Sequence, residues 1–385
     1  MGRFRDALSA PGLGAIAEVK RRSPSAGDLR PNADPAALAA AYEREGAAAV
    51  SILVDGRFGG SWDDLRAARA AAELPLLAKG FFSTEDDLRT AREAGADAAL
   101  LLLRDLDDAT TRHLIGAASE LGLEVLVEAH DDGELARAIA LDAPVIGINA
   151  RDLETFRIDR QQQLDLVARA PRDRVIVAES GIESRAQGAA AELAGASAIL
   201  VGSALMRAPD PAAKLAELIS RPLVKVCGLT REEDVAVAAQ AGADFAGFVL
   251  AEASPRRAAS VLPVPETMLS VAVVVGEPGD HGADLVQLYA AEAGKVRGRD
   301  AVLLQDGRPV ARVVDLPWGE DDPTHLDRAK GLDGRVMLAG GLGPENIRQA
   351  IDAVQPWAVD ASSGLEKSPG VKDHARVRAY VEAAR

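Results

Sequence analysis

Cysteine occurs once in these 385 residues, at Cys227, and histidine only five times, without clustering. One thiol excludes an internal disulfide framework and suits a reducing cytoplasm. A lone cysteine and scattered histidines offer no zinc-ligand spacing, so no metal is expected. Long apolar runs are missing as well. None reaches the roughly 20 residues that span a bilayer, and the opening "MGRFRDALSAPG" lacks an apolar signal core. Positive charge is in the minority, with Lys+Arg 44 against Asp+Glu 59 and a net charge of −15. That balance disfavours nucleic acid as a partner and leaves room only for a local basic pocket holding a small anion.

The chain has 48% hydrophobic and 27% charged residues, a globular composition long enough for two domains. In its first half short β-rich runs alternate with helical stretches: "AIAEVK", "AVSILV", "PLLAK", "AALLLL", "EVLVEA", "VIGIN", "VIVAES" and "AILVGS". Eight such units predict a (β/α)8 barrel. A doubly wound sheet is the alternative, but no Gly-rich fingerprint follows the first strand. Near residue 220 the pattern restarts with "LVKVCG", "FAGFVL", "SVAVVV", "DLVQLY", "AVLL", "ARVVDL", "RVMLAGG" and "WAVDASSG". The reading is α/β, two tandem barrels over residues 1–220 and 221–385. Only "QDGRPV" separates "AVLL" from "ARVVDL", too little for a parallel crossover of about a dozen residues. Asp-Gly between apolar runs signals a β-hairpin over residues 301–314, so the second barrel is expected to be shortened.

Barrel chemistry sits at the C-terminal ends of the strands. In "IAEVKRRSPS" the first strand places Glu18 and Lys20 two apart, hence on one face. The other ends bring Lys79, Glu128, Asn149 with Arg151, and Glu179 with Ser180. Any one of these alone would be a solvated charge or a helix cap. Together they surround one ligand with amines, carboxylates and a guanidinium. Gly181, Gly202 and Ser203, at the starts of the helices after strands seven and eight, suit a phosphate. Singly they would be ordinary turn residues, but they recur at equivalent loops near Arg151.

The motifs "IAEVKRRSPSAG", "AKGFF", "VLVEA", "GINARDLETF", "VAESGI" and "LVGSALM" resemble indole-3-glycerol-phosphate synthase across residues 13–220. The resemblance implies closure of an indole ring on a carboxyphenylamino-deoxyribulose phosphate, with loss of CO2 and water. It makes Lys79 the general acid and sets Lys20 near the substrate carboxylate. Glu128 becomes the acid/base of dehydration, assisted by Glu18. Asn149, Glu179 and Ser180 would position substrate, and Phe58 would wall an aromatic pocket. Ser23, Arg151, Gly181, Gly202 and Ser203 would hold phosphate. Burial and a second amine are expected to lower the Lys79 pKa. Two departures stand out: only about 15 residues precede the first strand, so part of the family's lid is expected to be absent, and Gly80 replaces a usual aspartate.

The second half resembles phosphoribosylanthranilate isomerase through "VKVCGLT", "GFVLAEASPRR", "LVQLY", "LAGGLGPENI" and "VDASSGLEKSPGVKD". This implies an Amadori rearrangement with Cys227 as base and Arg256 anchoring the anthranilate carboxylate. Phosphate would rest on Gly341, Ser362, Ser363 and Gly364, above Asp360. Tyr289 and Ala290 replace an expected histidine-glycine, and a glycine-rich loop is missing. The acid is expected at Asp315, with Asp306 as its rival. Cys227 needs a cation to lower its pKa, and Asp315 needs burial to keep its proton. The expectation is a bifunctional tryptophan-biosynthesis enzyme, cytoplasmic and without cofactor. Its ligands would be small phosphorylated substrates, with no nucleic acid or membrane and with pathway enzymes as partners. The alternative is an active synthase fused to a degenerate structural or partner-binding barrel.

Overall fold

The structure, a computed structural model, describes residues 2–23, 26–152, 155–292, 297–316, 320 and 322–385. It divides into two compact units, with the chain leaving the first for the second between Ile219 and Ser220 and residues 184–187 grouping with the second. Among the described residues no helix is long and apolar enough to cross a membrane.

The first unit closes eight strands into a barrel: β1 (Gly14–Val19), β2 (Ala49–Leu53), β3 (Leu76–Lys79), β4 (Ala98–Leu102), β5 (Glu124–Ala129), β6 (Val145–Asn149), β7 (Val175–Glu179) and β8 (Ala198–Val201). Neighbours pair in parallel throughout, and β8 returns to β1. Strands buried on both faces read as continuous apolar runs, which is why "AALLL" shows no alternation. The period of two is nevertheless present. Ile16, Leu77, Leu100, Leu126, Val177 and Leu200 fill the barrel interior. Their neighbours, such as Ala17, Ala78, Leu101 and Val127, pack outward against the helices. Counting two residues onward from the interior layer reaches Glu18, Lys79, Glu128 and Glu179. The polar groups are therefore the next inward layer, at the mouth.

The residues before β1 serve the other end. Helix Arg3–Leu8 sends Phe4 and Leu8 into the interior layer. Its first amides, at Phe4 and Arg5, donate to the Glu124 carboxylate at 2.7 and 3.2 Å, at the start of β5. This satisfies helix N–H groups that would otherwise lack partners.

The second unit is also a closed eight-stranded barrel: β9 (Leu223–Val226), β10 (Phe245–Val249), β11 (Leu269–Val275), β12 (Leu285–Tyr289), β13 (Ala301–Gln305), β14 (Arg308–Val314), β15 (Val336–Leu338) and β16 (Ala358–Ala361). The expected hairpin is present, and its consequence is larger than a shortened unit. β13 runs antiparallel to both β12 and β14, while the other pairs stay parallel. Asp306 and Gly307 turn the chain with φ of +47° and +72°, the left-handed pair that a two-residue hairpin requires. Tyr289 pairs with Ala301 and Ala301 with Val313 at the mouth, whereas Val286 pairs with Leu304 and Gln305 with Arg308 at the far end. The turn therefore lies away from the mouth.

Helices are also missing elsewhere. Residues 250–268 and 276–284 join their strands without a helix, and the described residues of this barrel hold four α-helices: Glu232–Ala241, His325–Lys330, Ile347–Val354 and His374–Ala384. Where helices are lost, the outer strand face reaches water. Val286 and Leu288 are half-buried, Val302 is exposed, and β12 alternates buried and half-buried positions.

Candidate active sites

In the first barrel Lys79 ends β3 and projects into the inward polar layer. Its Nζ lies 2.5 Å from Glu179 Oε2, 3.6 Å from Glu18 Oε2 and 3.7 Å from Glu128 Oε2. Lys20 Nζ pairs with Glu18 Oε1 at 2.8 Å. Asn149 donates from Nδ2 to Glu128 Oε1 at 3.0 Å and accepts the Arg151 amide on Oδ1 at 3.0 Å. Two glycines make room for this layer. A Cβ at residue 147 would stand 2.1 Å from Glu179 Oε1, and one at residue 202 would stand 2.3 Å from Glu18 Oε1. Gly147 was not singled out from the sequence, although a glycine in "VIGIN" is the signal of a close approach.

The charges correct one expectation. Burial works against the Lys79 ammonium, but Glu179, Glu18 and Glu128 outweigh it, so its pKa rises instead of falling. Burial likewise opposes ionisation of Glu128, yet Lys79, His130 and Asn149 bring it down to about 2. Glu179 is pushed up to about 8 by burial, with Glu128 adding to the rise against the pull of Lys79. Of the carboxylates beside Lys79, Glu179 is the one whose pKa is raised while those of Glu18 and Glu128 are lowered.

A cavity of about 490 Å3 opens above this layer. Its lining includes Glu18, Lys20, Ser23, Phe58, Lys79, Glu128, Asn149, Arg151, Ser180, Gly181, Gly202 and Ser203. Glu179 lies beneath it, bonded to Lys79. Phe58 stacks on Phe81, with centroids 6.5 Å apart and planes 20° apart, and the Arg57 guanidinium sits 3.8 Å over Phe81. Arg207 lines the cavity with Arg151. Burial and Arg207 both lower the Arg151 pKa, the repulsion of two guanidiniums that share one cavity. Ser180 adopts a φ of +69°, a strained conformation for a residue with a Cβ, of the kind that collects at functional sites. Phe81 and Arg207 were present in "AKGFF" and beside "SALM", but no spacing rule selected them.

In the second barrel Lys225 and Cys227 share the inward face of β9 and its continuation. Lys225 is fully buried, with Nζ 2.7 Å from Gln287 Oε1 and 2.8 Å from Asp360 Oδ2. Gln287 Nε2 donates to the Tyr289 hydroxyl at 2.7 Å, which donates to Asp315 Oδ2 at 2.6 Å. Arg297 reaches the same oxygen at 2.7 Å and stacks over the Tyr289 ring at 4.1 Å. A connected chain thus runs from beside Cys227 to Asp315, with Tyr289 standing where a histidine was expected. Burial raises the Asp315 pKa against Arg297 and Tyr289, the direction an acid needs. Cys227 departs from expectation: burial raises its pKa and outweighs Lys225 and Lys372, so the thiol is neutral.

Arg256 is held by Glu366, with Nε 3.0 and 2.8 Å from its oxygens, and Lys372 bonds the same carboxylate at 2.9 Å and the Ser362 carbonyl at 3.1 Å. These groups converge on Gly228, where an added Cβ would meet Ser362 Oγ at 2.7 Å. Gly364 packs on the loop after β15, its Cβ position 2.2 Å from the Leu342 carbonyl. Gly341, Ser362, Ser363 and Gly364 therefore sit on the adjoining loops after β15 and β16. Asp306 joins none of this: the register puts it at the opposite end, which removes it as a rival to Asp315.

The model of the indole-3-glycerol phosphate synthase family matches residues 2–218, and that of N-(5'phosphoribosyl)anthranilate isomerase matches residues 323–383. The chain is similar to the tryptophan biosynthesis protein TrpCF of Yersinia pestis, 34% identical over 424 residues, 99% of this chain and 87% of that protein. It is 50% identical over 203 residues to an indole-3-glycerol phosphate synthase of a Nocardioides species, covering 52% of this chain and 78% of the relative. A solved phosphoribosyl anthranilate isomerase from Thermus thermophilus aligns at 27% identity with a TM-score of 0.35, covering 42% of this chain and 97% of that one. With both family domains on one chain and a tryptophan biosynthesis protein matched over 99% of it, the protein belongs to the indole-3-glycerol phosphate synthase family and is a bifunctional synthase and isomerase of tryptophan biosynthesis.

Proposed function

We propose that ring closure occurs in residues 1–220 around Lys79 and the Amadori rearrangement in residues 221–385 between Cys227 and Asp315. The observation that carries the first assignment is the Lys79 ammonium among Glu18, Glu128 and Glu179 at the barrel mouth. A binding site for a phosphorylated sugar has no use for such a cluster, whereas proton transfer does. Lys79 enters charged and gives its proton to the carbonyl oxygen as the aromatic ring attacks. Lys20, held by Glu18, faces the carboxylate that leaves as CO2. Glu128 handles the protons of dehydration, with Asn149 and Ser180 holding the substrate and Glu179 steadying Lys79 from beneath. Phe58 and Phe81 flank the aromatic ring. The phosphate is taken by Ser23, Arg151, Gly181, Gly202 and Ser203, to which we add Arg207.

In the second barrel Asp315 protonates the ribose ring oxygen and Cys227, in its thiolate form, removes the proton from the adjacent carbon. Arg256 exchanges Glu366 for the anthranilate carboxylate. The phosphate rests on Gly341, Ser362, Ser363 and Gly364, and Asp360 anchors Lys225 below. The connected side chains from Lys225 to Asp315 favour a working isomerase over a degenerate barrel, which would have no need to keep buried polar groups satisfied. We place the chain in the cytoplasm, where its single thiol stays reduced, alongside enzymes that make its substrate and use its product. Complementation of two tryptophan auxotrophs, each lacking one activity, tests both halves. Growth of both is expected; growth of the synthase-deficient strain alone would make the second barrel a structural module.

A further inference from the structure

Ring closure as assigned above has an unbalanced proton. A carboxylate leaves as CO2 and a hydroxyl leaves as water, so each turnover consumes one proton. Yet Glu128, which serves the dehydration, is 2% exposed. The proton needs a way in.

His130 stands two residues beyond Glu128. Its Nε2 is 3.1 Å from Glu128 Oε1, and its Nδ1 is 3.0 Å from Glu134 Oε2. Glu134 also accepts the His130 backbone N–H at 2.8 Å, and Asp131 caps the helix carrying Glu134 by accepting its amide at 2.8 Å. The ring is thus held on its Nδ1 side by the outer carboxylate, with Nε2 close to the inner one but not aligned for a hydrogen bond with it. The two carboxylates face different spaces. Glu128 lines the cavity above Lys79, whereas His130 and Glu134 line a second cavity of about 730 Å3, with Asp131, Arg104 and Arg137. Asn149 and Arg151 line both, so His130 stands in the partition between them.

We propose that His130 is the proton relay of the synthase, passing to Glu128 the proton that each turnover consumes and being recharged from the second cavity with the help of Glu134. The inference rests on Glu128 as the dehydration acid/base. Ionised Glu128 takes the His130 Nε2 proton and passes it to the departing hydroxyl, whose C–O bond breaks to release water, while the C–H proton released as the indole double bond forms returns to Lys79. The neutral ring then takes a proton from solvent in the cavity it lines. No oxidant or other co-reactant is required. The surrounding charges keep the donor protonated and leave its transfer to be drawn by the departing hydroxyl. Burial opposes the imidazolium, but Glu128 and Glu134 raise the His130 pKa to about 10, so the ring starts loaded.

The test compares His130→Gln, His130→Ala and Glu128→Gln in the full-length enzyme, with isomerase turnover measured in each preparation. His130→Gln is expected to lower the synthase kcat at least about tenfold with KM unchanged. His130→Ala should be restored in proportion to added imidazole, a response that a lost packing contact would not give. An unchanged kcat in His130→Gln, or a loss in His130→Ala indifferent to imidazole, would overturn the relay. If Glu128→Gln is inactive while His130→Gln is not, the relay alone fails. If Glu128→Gln keeps full turnover, the assignment of Glu128 itself falls.

Discussion

Replacing Lys79 by Met removes one charge from the most crowded point of the first barrel. The apolar stem remains, so the packing around β3 is little changed. The three carboxylate contacts at 2.5, 3.6 and 3.7 Å disappear. A charge pair at about 4 Å is worth on the order of 4 kcal/mol at an effective dielectric constant of about 20. The pairs with Glu18 and Glu128, whose pKa values are lowered, are large beside the ~5–15 kcal/mol that holds a whole domain folded, although burying the charges offsets much of them. The carboxylates cannot stay ionised beside one another without the ammonium, so the variant is expected to fold with extra protons on them. A carboxyl whose folded pKa is raised gives stability that is complete below its ordinary value near 4.5 and is lost as pH climbs through the raised one. The melting temperature of Lys79→Met should therefore lie below that of the parent at pH 8, with the gap closing toward pH 5. Loss of the general acid should lower ring closure by roughly 10²–10⁴-fold, followed by fluorescence of the indole product, while isomerase turnover is unchanged. Retention of more than about a tenth of the turnover, or a stability gap that widens toward acid, would refute the placement of Lys79 at the centre of the site.

Arg151→Ala should raise the synthase KM far more than it lowers kcat, since phosphate is bound alike in ground and transition states; an isolated kcat defect would argue against that role. Cys227→Ser and Asp315→Asn should each remove nearly all isomerase activity and spare the synthase, whereas Asp306→Ala should spare both, and steady-state assays of the two reactions decide it. Because burial raises the Cys227 pKa, the thiolate fraction grows with pH, and isomerase kcat/KM should still be rising at pH 8; a plateau below pH 7 would exclude a neutral resting thiol. Tyr289→Phe removes the hydroxyl that bonds Asp315, so isomerase kcat should fall about tenfold or more and its acid limb should move, while an unaltered pH profile would deny Tyr289 any hold on Asp315.

Much of this was legible in the sequence because barrel chemistry follows strand periodicity. Once "AIAEVK", "PLLAK", "EVLVEA" and "VIVAES" are read as strands, the layer of Glu18, Lys79, Glu128 and Glu179 follows from counting by two. The Asp306-Gly307 turn was legible for the same reason, because its local chemistry admits one backbone conformation. The direction of a pKa was not legible, since it depends on how many charges reach one point. One strand end shows a lysine, but only closure of the barrel shows three carboxylates around it. Cys227 is the converse case, with two lysines nearby that burial outweighs. Tyr289 looked like a defect in a motif, and only the paths of Gln287 and Arg297 reveal its contact with Asp315. The helices missing after β10 and β11 went unnoticed because a connection of suitable length reads as a helix until its backbone is seen.

The reversed strand β13 also separates two properties that a regular barrel ties together. In a repeating βα unit, a change in the length of the connection at the working end alters the path of the helix that follows it. Here the connection Asp306-Gly307 lies at the idle end, joins two strands directly and carries no helix. Residues added there would extend a ribbon into solvent without pulling on the loop that holds Arg297 or on the end of β14 that carries Asp315. The chain thus has at this turn a place to acquire a new segment, or new termini by permutation, that places no demand on either reaction.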